Sequence, residues 1–173
     1  LIDSCSKQMD LVADRPGLCK RVLDVTNQLE LQATLKEKFA VLSACPYYLN
    51  KQIVQAADTA GIHYLDLTED VVSTREVRRI ASDANTAFIP QCGLAPGFIS
   101  IITNDLISKF DTLDTVQMRV GALPQFPSNS LNYNLTWSTD GVINEYCEPC
   151  NAVVDGKLTK LEPLEGYEHF TLD

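Results

Sequence analysis

The sequence predicts an α/β protein: a doubly wound parallel sheet, incomplete at its N-terminus, followed by part of a second α+β domain with a mixed or antiparallel sheet. Three observations predict it. Apolar, strand-like runs alternate with helix-periodic segments five times over residues 1–110, as β-α-β crossovers require. After Phe110 the pattern changes to strict apolar–polar alternation, the mark of strands with one wet face. Asp155-Gly156 then separates two apolar runs, a hairpin signal. A boundary near residue 112 follows, giving a parallel-sheet domain over 1–112 and the start of another over 113–173.

The elements can be justified in order. Leu1-Ile2-Asp3 reads as the end of a strand, and SKQMDLVADR (6–15) as a short helix broken by Pro16-Gly17. RVLDV (21–25) is a β-branched strand. NQLELQATLKEK (27–38) is a helix, with Leu31 and Leu35 one turn apart and Asn27 with Glu30 marking its start. FAVLSAC (39–45) is a continuous apolar run, expected to be a strand covered on both faces. LNKQIVQAADTAG (49–61) sets Ile53, Ala56, Ala57 and Ala60 on one helical face and stops at Gly61. IHYLDL (62–67) is a strand, TREVRRIASDAN (74–85) a helix with a solvated charged face, AFIPQC (87–92) a strand and 97–110 a helix. TVQMRVGALP (115–124) and LNYNLTW (131–137) alternate as half-exposed strands, and VVDGKLTKL (153–161) is the hairpin.

Composition narrows the function classes. The chain has 173 residues, 45% hydrophobic and 21% charged, the balance of a globular protein. A net charge of −9 argues against nucleic acid or an anionic membrane surface as a main partner. No apolar run reaches membrane-spanning length, and LIDSCSKQMD lacks the basic and apolar regions of a signal peptide. Six cysteines at irregular spacing suit a reducing compartment, so a cytoplasmic location is expected.

Ligands of doubly wound sheets bind beyond the carboxyl ends of the strands. Those ends carry Asp3, Asp24, Ala44-Cys45-Pro46-Tyr47, Asp66 with Thr68 and Glu69, and Gln91-Cys92-Gly93. An acid ending a strand suits hydrogen bonding to both hydroxyls of an adenosine ribose; a cap for the following helix is the competing role of both Asp3 and Asp24. No GxGxxG occurs in the 173 residues, and GLAPG (93–97) differs from it in spacing and in its proline. QCGLAPGFIS (91–100) nonetheless packs two glycines and a proline into one turn, more special backbone than a simple change of direction needs.

Four other features have plainer readings. Cys147-Glu148-Pro149-Cys150 is a CxxC without a second CxxC or a nearby histidine, so no metal site is expected. His63 inside an apolar strand reads as a hydrogen-bonded core residue. Trp137 falls on the apolar face of its run, where core packing is the default and lining a cleft the alternative. The charged TREVRRIASD face reads as solvated.

LDVTN (23–27), SACPYYLN (43–50), GIHYLDLTED (61–70), CGLAPGFISII (92–102), MRVGALPQFP (118–127) and NLTWSTDGVINEYCEP (134–149) together resemble the saccharopine dehydrogenase-like family, which includes glutamate-forming saccharopine reductases and lysine 6-dehydrogenases. The resemblance implies a Rossmann-like NAD(P)-binding domain that begins here at its second strand, without the first strand and glycine-rich turn. It implies a second domain for substrate binding and homodimer formation. The implied cofactor is NAD, with NADP as the other possibility, and the implied partner is a small amino-acid substrate. Cofactor contacts fall on Asp3, Asp24, Val25, Ala44, Pro46, Tyr47, Gly93, Pro96 and Gly97. In this reading Gly93 and Gly97 let backbone approach the ligand, Pro96 opens the helix, and the amides after Gly97 point at an anion.

The resemblance also implies chemistry: hydride leaves a carbon bearing nitrogen and water hydrolyses the imine, or the reverse. Asp66 or Glu69 is the implied base, with Cys92 and Tyr47 as local donors. Tyr47, Trp137 and Asp140 are the implied substrate contacts. Saccharopine reductases usually carry aspartate where this sequence has Ala95, a cysteine near Val120, and arginine where it has Asp140. Ala95 and VINEY (142–146) lean toward lysine 6-dehydrogenases, and Asp140 suits a substrate ammonium. A fragment without the glycine-rich turn is expected to be inactive. A non-catalytic relative that binds dinucleotide or a partner is the alternative.

Overall fold

The computed structural model describes residues 1–121, 123–135 and 138–169. Two compact units divide the chain, Leu1–Gly121 and Ala122–Asp173. The first unit alternates strand and helix throughout: β1 (Ile2–Asp3), α1 (Ser6–Leu11), β2 (Arg21–Val22), α2 (Gln28–Leu35), β3 (Ala40–Ser43), α3 (Asn50–Ala60), β4 (His63–Asp66), α4 (Val71–Ala81), β5 (Phe88–Ile89) and α5 (Phe98–Ile107). All of its strand pairings are parallel, and each is bridged by a helical crossover. The pairings form two sheets, β1-β2 and β3-β4-β5.

Local chemistry sets the helix ends. The Asn27 side chain accepts the Glu30 amide at 3.3 Å and starts α2. Gly61 caps α3 in the left-handed conformation, φ 65°. Helix α4 begins three residues before the charged run predicts, because Asp70 Oδ1 accepts the Ser73 amide at 2.6 Å. Helix α1 ends at Leu11, ahead of Pro16, with Val12 already extended.

Register shows which face of the second sheet makes the core. Val41, Tyr64 and Phe88 are aligned across β3, β4 and β5. Tyr64 is fully buried, and this row packs on Leu31 and Leu35 of α2, Ile53, Val54 and Ala57 of α3, and Val77 of α4. Each fully buried aliphatic side chain contributes roughly 1.5–3 kcal/mol. The next row, Leu42, Leu65 and Ile89, lies on the opposite face by strand alternation. Leu42 is 58% exposed and Ile89 48%. The expectation that β3 is covered on both faces is therefore corrected: a continuous apolar run records what a strand can bury, not what is packed against it.

The second unit holds α6 (Thr139–Glu145), capped by Ser138 Oγ accepting the Gly141 amide at 3.2 Å, and the antiparallel hairpin β6 (Cys150–Val154) and β7 (Lys157–Leu161). Asp155 and Gly156 make its two-residue turn with φ 50° and 74°, the left-handed pair that a tight hairpin requires. The strands expected over 115–124 and 131–137 do not form among the described residues; Ala122, Thr136 and Trp137 lie outside them. Val116, Met118 and Leu131 are exposed, and an alternating segment without a partner edge has nothing to hold it extended. No helix among the described residues is long and apolar enough to cross a membrane.

Candidate functional site

The carboxyl ends of β3, β4 and β5 meet around one buried carboxylate. Asp66 ends β4, is 0% exposed, and takes three donors. The Tyr64 hydroxyl reaches Oδ2 at 2.9 Å, and the Thr68 and Gln91 amides reach Oδ1 at 3.1 Å each. Its main-chain oxygen accepts the Cys92 amide at 2.9 Å and the Cys92 thiol at 3.0 Å. Gln91 adopts a left-handed φ of 59° to present two successive amides to one residue, at a cost of roughly 1 kcal/mol that these bonds offset. Burial, then the Asp66 charge, pushes the Tyr64 hydroxyl well above its ordinary range, which keeps it a donor. Asp66 thus ties the β4 loop to the β5 loop, and every one of these donors is satisfied inside the protein.

Glu69 differs. It is half-buried, and its Oε1 is closed off from solvent with no hydrogen-bond partner among the described residues. The loop that carries it is rigid on both sides. The Thr68 hydroxyl accepts the Asp70 amide at 3.2 Å, Thr74 Oγ1 donates to the Asp70 carbonyl at 2.9 Å, and Ser73 Oγ donates to the Tyr47 carbonyl at 3.2 Å. The last bond joins the Glu69 loop to the segment after β3, where Pro46 leads into a single 3₁₀ turn, Tyr47–Leu49. The Ser43 hydroxyl, from the end of β3, donates to Asn50 Oδ1 at 2.6 Å and anchors the same segment from below. Tyr47 is half-buried with its ring 5.8 Å from that of Tyr48.

The GLAPG turn closes on itself. Gly93 and Gly97 form a bridge, and a Cβ on Gly97 would stand 2.3 Å from the Gly93 carbonyl, with the backbone at φ 131°. A Cβ on Gly93 would meet the Leu67 carbonyl at 3.1 Å. Gly97 is therefore required by the chain's own backbone, and Gly93 stands where an added methyl would be tightly packed. The expectation that α5 aims free amides at an anion is also corrected. Phe98 and Ile99 donate to the Gly93 and Leu94 carbonyls at 2.8 and 3.0 Å, and Ser100 and Ile101 both donate to the Gly97 carbonyl at 3.1 Å. Pro96 lies just ahead of the Gly97 cap, outside the helix.

The remaining expected positions fall as follows. Asp3 ends β1; its Oδ1 accepts the amide of Cys5, the residue that precedes α1, at 2.7 Å, so it serves the helix start without being its cap. Asp24 Oδ1 accepts the Thr26 amide at 2.9 Å, a bond that lowers its pKa. Val25 packs against the core and, with Ala44, lines a groove between β1 and β3. Asp140 is exposed in the first turn of α6, in the second unit, and Trp137 lies outside the described residues. His63 Nδ1 accepts the Ala87 amide at 2.9 Å and its ring lies edge-on to Phe39, as a structural histidine should. All six cysteines are free thiols, Cys147 and Cys150 exposed. Sequence reasoning missed Tyr64 and Asn50. The Tyr-x-Asp spacing on one strand, which puts both side chains on one face, was the signal for Tyr64.

A dinucleotide fits these residues in part. Strand-end acids and the Tyr47 and Glu69 loops suit the adenosine and nicotinamide ends, whereas the 173 residues carry no glycine-rich turn for the pyrophosphate and the α5 amides are taken.

Comparison with known proteins gives a consistent picture. Residues 1–89 match the saccharopine dehydrogenase NADP binding domain, and residues 93–171 the saccharopine dehydrogenase C-terminal domain. Alpha-aminoadipic semialdehyde synthase, mitochondrial, from Rattus norvegicus is 23% identical over 138 residues, covering 76% of this chain and 15% of the relative. Saccharopine dehydrogenase [NADP(+), L-glutamate-forming] from Pyricularia oryzae is 24% identical over 145 residues, covering 80% of this chain and 32% of the relative. The chain thus spans a third or less of the length of these curated relatives. In fold, it is similar to apo saccharopine dehydrogenase (L-Glu forming) from Saccharomyces cerevisiae, with a TM-score of 0.59 and 21% identity over 90% of this chain and 37% of that one.

Proposed function

Because this chain belongs to the saccharopine dehydrogenase family, we propose that it forms part of a nicotinamide-dinucleotide-dependent oxidoreductase acting on the C–N bond of an amino acid, lysine or saccharopine. The observation that carries the proposal is the tying of the loops after β4 and β5 through Asp66, beside a Glu69 oxygen that has no hydrogen-bond partner among the described residues. A buried carboxylate oxygen without a partner among the described residues is suited to receive a substrate N–H. The bound nicotinamide supplies hydride transfer. Glu69 takes the proton from the substrate amine and, in the hydrolytic half, from the attacking water. Asp66 holds the loops and keeps Cys92 in place beside them. Tyr47 lines the side of the site nearest β3.

The family model and the fungal relative's name point to NADP. Asp3 at the end of β1, with no basic residue among the three that follow it in sequence, suits a ribose bearing two free hydroxyls and therefore NAD. The free thiols suit a reducing compartment such as the cytoplasm, although the rat relative's name places that protein in mitochondria.

The test follows reduced-nicotinamide absorbance in the native protein, offered NAD or NADP with lysine and with saccharopine in turn. Turnover is expected with one of them, and Glu69→Gln is expected to lower kcat by roughly 100-fold or more and flatten its pH profile. Near-normal turnover of Glu69→Gln removes the base assignment. Wild-type protein that binds dinucleotide without turning over either amino acid is instead the non-catalytic relative, the alternative suggested by alanine at position 95.

A further inference from the structure

Helix α4 opens with more hydroxyl groups than its first turn needs. Its cap, Asp70, is 8% exposed, and Asp70 Oδ1 accepts the Ser73 amide at 2.6 Å. A polar side chain at the third helical position ordinarily turns back to accept the amide of the cap itself. Here that amide goes to the Thr68 hydroxyl at 3.2 Å, while Thr74 donates to the Asp70 carbonyl through its amide at 3.0 Å and its hydroxyl at 2.9 Å. The start of α4 is therefore complete without the Ser73 hydroxyl.

That hydroxyl leaves its own helix. Ser73 Oγ donates at 3.2 Å to the carbonyl of Tyr47, 26 residues earlier in the chain. Ser73 is half-buried, which limits competition from water. The bond connects two segments that are each fixed elsewhere. The Tyr47–Leu49 turn is closed by the Leu49 amide on the Pro46 carbonyl at 2.9 Å and anchored by Ser43 on Asn50 at 2.6 Å. The Glu69 loop is pinned at Thr68, whose amide reaches Asp66 Oδ1 at 3.1 Å, and at Asp70 by the Thr68 hydroxyl. Among the described residues, the Ser73–Tyr47 bond is the one hydrogen bond that passes directly between these two segments. The bodies of α3 and α4 already share the core through Val54 and Val77, so the hydroxyl is not what holds the helices together.

We propose that Ser73 is a positioning residue of the candidate site: its hydroxyl fixes the Tyr47 turn against the loop that carries Glu69, and so sets where a ligand held by that turn lies relative to the Glu69 carboxylate. The proposal rests on the catalytic reading of Glu69 above. Glu69 directly precedes the Asp70 cap, so a shift of the first turn of α4 moves its backbone with it. Glu69 Oε1 has no partner among the described residues, and its place is set by the backbone that carries it. A displacement of about 1 Å at such a group is enough to cost up to roughly a hundredfold in rate.

The test uses the native protein and whichever of lysine and saccharopine it turns over, with reduced-nicotinamide absorbance as the readout. Ser73→Ala is expected to lower kcat roughly tenfold with KM changed less than about twofold. Its thermal midpoint is expected to stay within about 2 °C of wild type, because the Asp70 cap is intact and alanine suits a helix. Ser73→Thr keeps a hydroxyl and is expected to recover kcat to within about twofold of wild type. In a Glu69→Gln background, Ser73→Ala is expected to add less than about a twofold loss, since the hydroxyl acts through Glu69. A tenfold loss in that background, no rescue by Ser73→Thr, or a fall in midpoint that accompanies the loss of rate overturns the proposal. Impaired Glu69→Gln beside unaffected Ser73→Ala overturns this inference alone. No turnover in wild type, or near-normal turnover of Glu69→Gln, overturns the catalytic reading and this inference with it.

Discussion

The two faces of the β3-β4-β5 sheet are built from the same three strands and have opposite fates. On one, Val41, Tyr64 and Phe88 pack on three helices and continue at the carboxyl end into Ser43 and Asp66, both buried and hydrogen-bonded. On the other, Leu42, Leu65 and Ile89 are equally apolar, yet Leu42 and Ile89 stand half open and Leu65 is only partly covered. Hydrophobicity is therefore shared between the faces, whereas stability and the candidate site are concentrated on one. The difference teaches that the core face holds the protein together while the second, no less apolar, is left largely uncovered.

The comparison can be broken most sharply at Asp66. Asp66→Ala leaves the Tyr64 hydroxyl and two amides without an acceptor, and is expected to cost about 3–5 kcal/mol in urea unfolding. Retention of wild-type stability would mean that the strand ends are not tied through this carboxylate. Next comes Leu31→Ala beneath the core face, expected at about 2–4 kcal/mol, set against Leu42→Ala on the bare face at under about 1 kcal/mol. Equal costs would show that the second face is covered in solution.

A pH titration sharpens the same contrast. Tyr64 is raised by burial and by Asp66, with smaller contributions from Cys45 and Cys92, so the folded state keeps its proton where the unfolded chain loses it. Its contribution is fully present below about pH 10 and is lost as pH rises beyond that, at up to about 1.4 kcal/mol per pH unit. Tyr64→Phe is expected to blunt that alkaline slope in unfolding measured from pH 9 to 11. The smallest effect is expected in the other unit. Gly156→Ala strains a left-handed turn and should cost about 1 kcal/mol within the hairpin, read from cross-strand NMR contacts, while the melting of the core face stays unchanged.

Legibility followed how local each cause is. The α2 start at Asn27, the α3 stop at Gly61 and the Asp155-Gly156 hairpin depend on a few neighbouring residues, and all were readable. Strands at 115–124 and 131–137 were not, since alternation states a preference that only a partner edge can satisfy. GLAPG was singled out correctly for its glycines, but their reason, the approach of Gly97 to the Gly93 carbonyl, is a contact within the folded turn. At the candidate site, the strand-end positions of Asp66, Glu69, Cys92 and Tyr47 were legible from the alternation of elements. Their division of labour was not, because it depends on which donors reach each carboxylate.

By itself, then, the sequence determined the α/β alternation, the parallel crossovers, the helix caps, the hairpin and the row of polar residues at the strand ends, all consequences of periodicity and short-range sterics. Only the tertiary structure decided that one sheet face is buried and its twin largely open, that Asp66 is a tie and Glu69 an oxygen without a partner among the described residues, and that β1 and β3 border a shared groove. Those outcomes depend on which distant segments arrive at a given surface, and burial and hydrogen-bond satisfaction belong to that arrangement rather than to any one stretch of chain.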